Sequence, residues 1–266
     1  MRSVEDAVIV ERLPGFVKTL LGRDMQSNIT REYERALERG RFDFPACVEL
    51  PVPCGRRLPE RVVELLLARL SYRPGARVLD IGHGNAMECH RAMVRSLPAP
   101  RDLTGLDIAE PTYDVSTLYR ESVRGDMGAM TFDDASFDLV WCISSLEHVG
   151  MDNSGYTSEF SRDERLAERA VQEMVRVTRP GGRVLLTVPY GRYENHGWFR
   201  NLDEAHLRAL VDPVRVSVSV HTLTFAHRGE RGWTPAPPEE LRDVGYADQG
   251  NAGAAALAAV VLTKKG

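Results

Sequence analysis

The chain has 266 residues, of which 43% are hydrophobic and 27% are charged, an ordinary composition for a soluble globular protein. Its net charge is −4, so the chain lacks the excess of basic residues that contacts to phosphates require. This disfavours a nucleic-acid substrate. No apolar run approaches the roughly 20 residues of a membrane span, and the first residues carry two acids instead of a signal-peptide core. We therefore predict a cytoplasmic protein that contacts neither nucleic acid nor membrane.

The first 58 residues differ in pattern from the rest of the chain. Residues 1–40 have a helical pattern with Glu/Arg pairs three and four residues apart, whereas 41–58 contain three prolines and are predicted to be loop. A helix that is apolar on more than one face follows at 59–70. We predict an N-terminal helical cap or lid at 1–58 and a second domain at 59–266.

From residue 76 onward, strand and helix patterns alternate. The predicted strands are 77–81, 103–106, 122–125, 137–143, 183–188, 214–225 and 255–263, and the predicted helices are 85–97, 113–120, 161–178 and 202–211. Strands separated by helices imply right-handed crossovers. The pattern predicts an α/β protein with a mainly parallel sheet and helices on both faces.

A glycine turn joins the first of these strands to the helix that follows. The stretch 78–86 runs Val-Leu-Asp-Ile-Gly-His-Gly-Asn-Ala, so Gly82 and Gly84 expose backbone N–H groups to a ligand. A dinucleotide fingerprint requires a third glycine where Met87 stands. The acid Asp80 would also repel a pyrophosphate, so the turn favours a cationic ligand without phosphates.

Two further acids follow the next two strands. Asp107 is placed to accept both hydroxyls of a ribose, and the alternative is an exposed acid that caps the following turn. Asp126 could accept the exocyclic amine of an adenine with Met127 against the ring, or it could lie in a solvated turn. Four cysteines without zinc-ligand spacing indicate neither a metal site nor a disulfide framework.

Taken in this order, the motifs resemble those of class I S-adenosylmethionine-dependent methyltransferases of the small-molecule, Leu-Glu-His type. The motifs are Asp80-x-Gly82-x-Gly84, Asp107, Gly125-Asp126, the run 132–140 (Phe-Asp-Asp-Ala-Ser-Phe-Asp-Leu-Val) and Arg179-Pro180-Gly181-Gly182. The resemblance covers roughly 60–263, with Ala86 where the family has a third small residue. It implies a Rossmann-like, seven-stranded sheet whose last strand is antiparallel and is inserted beside the 214–225 strand.

The resemblance also implies which residues hold S-adenosyl-L-methionine. Its methionine part would lie along Asp80, the turn residues Gly82, His83, Gly84 and Asn85, and Cys142. The ribose would be held by Asp107 with Ile108, and the adenine by Asp126 with Met127. His83 would contribute its backbone more than its ring.

Methyl transfer needs a base when the acceptor must lose a proton. His148 follows the fourth strand and has a suitable pKa range, although a Leu-Glu-His sequence can also serve packing or bind on the cofactor side. A related subset of the family holds a divalent metal with Glu-x-x-Glu-His, but Ser144 replaces the first Glu here. We therefore predict no metal site.

Two loops beyond the strand ends should form the acceptor pocket. The first is the polar loop 150–156, and the second is 189–200, which holds five aromatic or histidine side chains. Tyr190, His196 and Trp198 are the predicted substrate-binding residues, since aromatic faces suit a ring-bearing or sugar-bearing ligand. The alternative is that Trp198 packs under the loop.

These patterns predict a methyltransferase that acts on an oxygen or nitrogen of a small molecule, such as a natural-product or sugar intermediate. The alternatives are a tRNA, rRNA or protein methyltransferase, and a non-catalytic protein that binds the cofactor for regulation. A nicotinamide-dependent oxidoreductase is contradicted by Met87 and Asp80. No Asn/Asp-Pro-Pro-Tyr sequence follows the fourth strand, which argues against methylation of a base amine. A homodimer is possible.

Overall fold

The computed structural model describes residues 15–158, 162, 163, 165–248 and 253–266. Its helices are α1 (Gly15–Arg39), α2 (Arg61–Ser71), α3 (Glu88–Ser96), α4 (Leu166–Val177) and α5 (Glu204–Val211). Its first strands are β1 (Arg41–Asp43), β2 (Cys47–Glu49), β3 (Arg77–Ile81), β4 (Asp102–Asp107), β5 (Glu121–Arg124) and β6 (Phe137–Ile143). The remaining strands are β7 (Thr178–Pro189), β8 (Glu194–Asn195), β9 (Arg200–Asn201), β10 (Val218–His227), β11 (Trp233–Pro235) and β12 (Ala256–Lys264).

Within these described ranges, eight strands form one large sheet in the order β11-β10-β12-β7-β6-β3-β4-β5. The five strands β7, β6, β3, β4 and β5 are parallel to one another, and β12 runs antiparallel between β7 and β10. The predicted mainly parallel, Rossmann-like sheet with its inserted antiparallel strand is therefore confirmed. The sheet has one strand more than predicted, because the three-residue β11 pairs with β10 at the edge.

The central strands are buried on both faces, and alternate residues point to opposite sides. On β6, Val140 and Cys142 pack with α4 and α5, whereas Leu139, Trp141 and Ile143 pack with α1, α2 and α3. Two apolar clusters thus enclose the sheet. This arrangement confirms the predicted helices on both faces and directs the carboxyl ends of β3 to β6 toward one open edge.

Three local predictions were wrong. Residues 113–120 form turns instead of a helix, because Tyr113 and Tyr119 direct their hydroxyl groups inward to His83 O and to the Asp80 carboxylate. The stretch 41–58 was predicted to be loop but contains the hairpin β1/β2. The strand predicted from residue 214 begins at Val218, because a 3-10 turn with Pro213 precedes it.

The described part of the N-terminal segment packs against the helices that flank β3. Tyr33 is buried, and its hydroxyl lies 3.1 Å from Ser96 Oγ at the end of α3. Residues 1–14 of the predicted cap lie outside the described ranges. The boundary at residue 58 and the role of this segment as a cap stay predictions.

The N-terminus of α5 provides a test of local stability. The Asp203 carboxylate accepts the backbone N–H of His206 at 2.8 Å and so caps the helix. We expect Asp203→Ala to lower the free energy of unfolding by about 1 kcal/mol, because an N–H at the helix end loses its acceptor. Urea denaturation would measure the change, and Glu204→Ala, at an exposed position, is the matched control. Equal stabilities of Asp203→Ala and the wild type would contradict the capping role.

Candidate active site

A cavity of about 540 Å³ opens where β3, β4, β5 and β6 end. Its wall combines apolar side chains with a few polar groups, as in many sites that bind small organic ligands. The residues that line it include Arg61, Gly82, Asn85, Met87, His90, Asp107, Ile108, Asp126, Met127, Ser144, Ser145, His148, Asp152, Tyr156 and Trp198.

The glycine turn after β3 has a backbone that other residues would not tolerate. Gly82 has φ of +84°, and a Cβ there would collide with Ser145 Oγ. A Cβ on Gly84 would come within 2.9 Å of the Asp107 carboxylate. The two glycines therefore let the loop after β6 and the acid after β4 approach the turn closely.

Asp107 is held in place by three donors. Its Oδ2 accepts the Gly84 N–H at 2.8 Å, and its Oδ1 accepts the Ala109 N–H and the Tyr156 hydroxyl, each at 2.9 Å. The side chain is almost fully buried but borders the cavity. A carboxylate fixed in this way is well oriented to accept hydroxyl groups from a ligand.

Asp80 lies behind the cavity wall. Its fully buried Oδ2 is 2.9 Å from His90 Nε2 and accepts the Tyr119 hydroxyl at 2.7 Å. Burial raises the pKa of Asp80, but His90 and Tyr119 together outweigh it, so the pKa lies below the usual value. Asp80 therefore orients His90, whose ring borders the cavity.

His148 occupies the far end of the cavity, next to Trp198. Its Nδ1 is 2.9 Å from the Trp198 carbonyl, and the two rings lie 4.9 Å apart. A carbonyl can only accept, so Nδ1 carries the proton and Nε2 keeps a free lone pair. Burial lowers the pKa of His148, which keeps the ring neutral near pH 7.

Buried acids lie beneath this end of the cavity. Glu147 is almost fully buried, and its Oε1 is 3.9 Å from His148 Nε2. Burial raises the pKa of Glu147 to about 8, so its carboxyl group is protonated at neutral pH. Oε2 of Glu147 has no hydrogen-bond partner among the described residues, whereas Oε2 of Glu64 forms an ion pair with Arg61 Nη1 at 3.1 Å.

A second, more open cavity of about 770 Å³ adjoins the first. The two share Gly150, Asp152, Gly155 and Trp198 as a common rim. Trp198 is 56% exposed, and behind it the His196 ring stacks on Phe199 with centroids 4.4 Å apart. The aromatic loop thus borders a space that lies outside the first cavity.

The structure brings most of the predicted site residues together. The first cavity is lined by Gly82, Asn85, Asp107, Ile108, Asp126, Met127, His148 and Trp198, and the second by His196.

The side chains of His83, Cys142 and Tyr190, like that of Asp80, are buried outside both linings. His83 Nε2 lies 2.8 Å from Ser122 Oγ, and Cys142 and Tyr190 pack in the core because of their positions on or beside strands. The N–H of Gly84 binds Asp107 and so is already used. For these residues, direct contact with a ligand stays a prediction without a supporting contact.

Sequence reasoning missed three groups of lining residues. Arg61 lay within a helix that looked purely structural, and Tyr156 was not singled out within the loop 150–156, which was predicted to help form the acceptor pocket. Ser144 and Ser145 directly follow β6, and their position at a strand end was a signal that could have identified them. In the part of the chain that the structure describes, no three His, Cys, Asp or Glu side chains are grouped to hold a metal ion. No helix there is long and apolar enough to cross a membrane.

The topology and the cavity define a class I methyltransferase fold. Residues 79–186 match the family described as a methyltransferase domain. The chain is 29% identical over 137 residues to 27-O-demethylrifamycin SV methyltransferase of Amycolatopsis mediterranei, which covers 47% of this chain and 43% of that one. It is 26% identical over 183 residues to demethylmenaquinone methyltransferase of Streptomyces avermitilis, with 65% and 69% covered.

Among solved structures, the [4+2]-cyclase SpnF shares the fold, with a TM-score of 0.50, 19% identity and coverage of 78% and 81%. The part of this chain that matches the rifamycin enzyme spans less than half of that enzyme's length, and the part that matches the menaquinone enzyme spans about two thirds of its length. Residues 79–186 are thus similar to a methyltransferase domain, a family whose cofactor is S-adenosylmethionine, and they lie within a fold shared with a solved structure.

The cavity suits this cofactor in size and polarity. Its volume lies within the range of about 300–1,000 Å³ typical of ligand sites. The oriented Asp107 carboxylate can accept ribose hydroxyls, while Ile108 and Met127 offer apolar contacts on the same side.

Proposed function

We propose that this chain transfers a methyl group to an oxygen or nitrogen of a small molecule, with His148 as the base. The observation that carries the proposal is the hydrogen bond from His148 Nδ1 to the Trp198 carbonyl at 2.9 Å. It leaves Nε2 unprotonated at the end of the cavity that adjoins the aromatic loop. The ring is therefore ready to accept a proton.

The cofactor supplies a methyl group that is already activated on a sulfonium, so the protein contributes alignment, exclusion of water and proton removal. We propose that Asp107 binds the ribose hydroxyls and that Asp126 and Met127 bind the adenine. His148 Nε2 takes the proton from the acceptor hydroxyl or amine. The Trp198 carbonyl accepts from Nδ1–H before and after this step, so the ring keeps its orientation.

Three observations support a small acceptor. The net charge of −4 is unsuited to a nucleic-acid substrate. The two adjoining cavities are concave and offer aromatic surface through Trp198 and His196. Two of the relatives are named as methyltransferases of 27-O-demethylrifamycin SV and of demethylmenaquinone, both small molecules. A homodimer, a cytoplasmic location and a capping role for 1–58 stay predictions.

Incubation of the protein with an extract of its source organism and methyl-labelled S-adenosylmethionine tests this function. We expect the label to appear in the low-molecular-mass fraction, because the cavities accept a compact ligand. Mass spectrometry of the labelled product would identify the methylated atom. The wild-type protein without extract is the control, and label recovered in RNA or protein would contradict the proposal.

A further inference from the structure

Arg61 places a permanent positive charge in the wall of the cofactor cavity. It is the first residue of α2, and its Nη1 lies 3.1 Å from Glu64 Oε2, one turn further along the helix. A guanidinium group has five N–H donors, and this ion pair occupies one of its nitrogens. The remaining donors are available to an anion in the cavity.

Glu64 fixes the position of Arg61. The carboxylate is fully buried, and its Oε1 accepts the Ser144 hydroxyl at 2.6 Å and the Thr187 hydroxyl at 2.7 Å. These bonds attach it to the residue that follows β6 and to β7. The guanidinium is therefore held at the β6 side of the cavity.

The strand order gives a direction along the cavity. Asp126 follows β5, Asp107 ends β4, Gly82 follows β3 and Ser144 follows β6, and the strands adjoin in the order β5-β4-β3-β6. If Asp107 and Asp126 hold the adenosine part, as proposed above, the methionine part points toward Ser144. That end of the cofactor carries a carboxylate and meets the edge where Arg61 lies.

Among the described residues that line the cavity, the other two basic side chains, His90 and His148, are less suited than Arg61 to bind an anion. His90 Nε2 is already 2.9 Å from the Asp80 carboxylate. His148 donates Nδ1–H to a carbonyl and is neutral near pH 7. Arg61 is thus the cation best able to form charge-assisted hydrogen bonds with a carboxylate here.

We propose that Arg61 binds the carboxylate of the methionine part of the cofactor and that Glu64 is its positioning residue. This assignment rests on the proposed orientation of the cofactor and does not depend on the acceptor. It adds a cofactor contact from α2, a helix that precedes the glycine turn.

The test compares S-adenosylmethionine with decarboxylated S-adenosylmethionine by calorimetry on the full chain. The two ligands differ at the carboxylate and share the sulfonium, ribose and adenine. We expect the wild type to bind S-adenosylmethionine about tenfold to hundredfold more tightly, as a hydrogen-bonded ion pair would give. In Arg61→Gln the two affinities should become nearly equal, and Arg61→Lys should keep part of the difference.

Glu64→Gln should reduce the same affinity ratio, whereas Arg69→Gln, in the last turn of α2, should leave it unchanged. A partly unfolded variant binds both ligands less well, so the ratio isolates the carboxylate contact from any loss of fold. A ratio that persists in Arg61→Gln would overturn the proposal. Normal cofactor affinity without methyl transfer to any small molecule would instead contradict the proposed function.

Discussion

Replacement of His148 by alanine is expected to lower kcat by about 10²–10⁴-fold, the usual contribution of a general base. The affinity for S-adenosylmethionine should stay close to that of the wild type, since the cofactor contacts proposed for Arg61, Asp107 and Asp126 remain. Single-turnover rates with the identified acceptor, together with calorimetry for the cofactor, would measure both effects. Equal losses in rate and in cofactor affinity would instead place His148 on the cofactor side.

The pH dependence of kcat gives a second readout for the same residue. Burial lowers the pKa of His148 below its usual value near 6.5, and a base acts in its unprotonated form. The rate should therefore fall as the pH drops through this lowered pKa and stay level above it. His221→Ala, on β10, should retain this acid limb, whereas His148→Ala should lose it.

Replacement of Asp107 by alanine is expected to weaken S-adenosylmethionine binding about tenfold to hundredfold, because charge-assisted hydrogen bonds to the ribose are lost. The substitution also leaves the N–H groups of Gly84 and Ala109 without their carboxylate acceptor. The turn that shapes the cavity should therefore become less ordered. Calorimetric titration with S-adenosylhomocysteine, which is not consumed, would give the affinity.

Glu110 offers a matched control three residues further along the chain. Its carboxylate is 74% exposed and lies 3.8 Å from Arg124, so Glu110→Ala should bind the cofactor as the wild type does. A circular dichroism melt would establish that Asp107→Ala remains folded. Unchanged affinity in folded Asp107→Ala would refute its role as the ribose-binding acid.

The parts of the fold that repeat a local pattern were predictable from the sequence. The strand, glycine turn and helix around Gly82 could be located from the sequence. An apolar run, the turn glycines and a helical spacing of apolar residues follow one another there within a few positions. Residues 113–120 misled for the opposite reason. Their spacing suits a helix, but long-range hydrogen bonds from Tyr113 to His83 in the glycine turn and from Tyr119 to Asp80 on β3 determine their backbone.

The site was predictable where a residue directly follows a strand, as Asp107 does. It was not predictable where a contact joins distant segments. The sequence contains no sign that the Trp198 carbonyl would fix the proton on His148, 50 positions earlier, or that Tyr156 would bind Asp107. Asp80 shows the same limit, since the sequence does not indicate its buried bonds to His90 and Tyr119.

The exposure of Trp198 gives the protein an intrinsic optical reporter. The chain has three tryptophans, and Trp141 and Trp233 are fully buried, whereas Trp198 is 56% exposed on the rim between the two cavities. A collisional quencher in the solvent therefore acts mainly on the fluorescence of Trp198. An acceptor that enters beside this ring would shield it, so occupancy of the acceptor side can be followed without labelling either molecule.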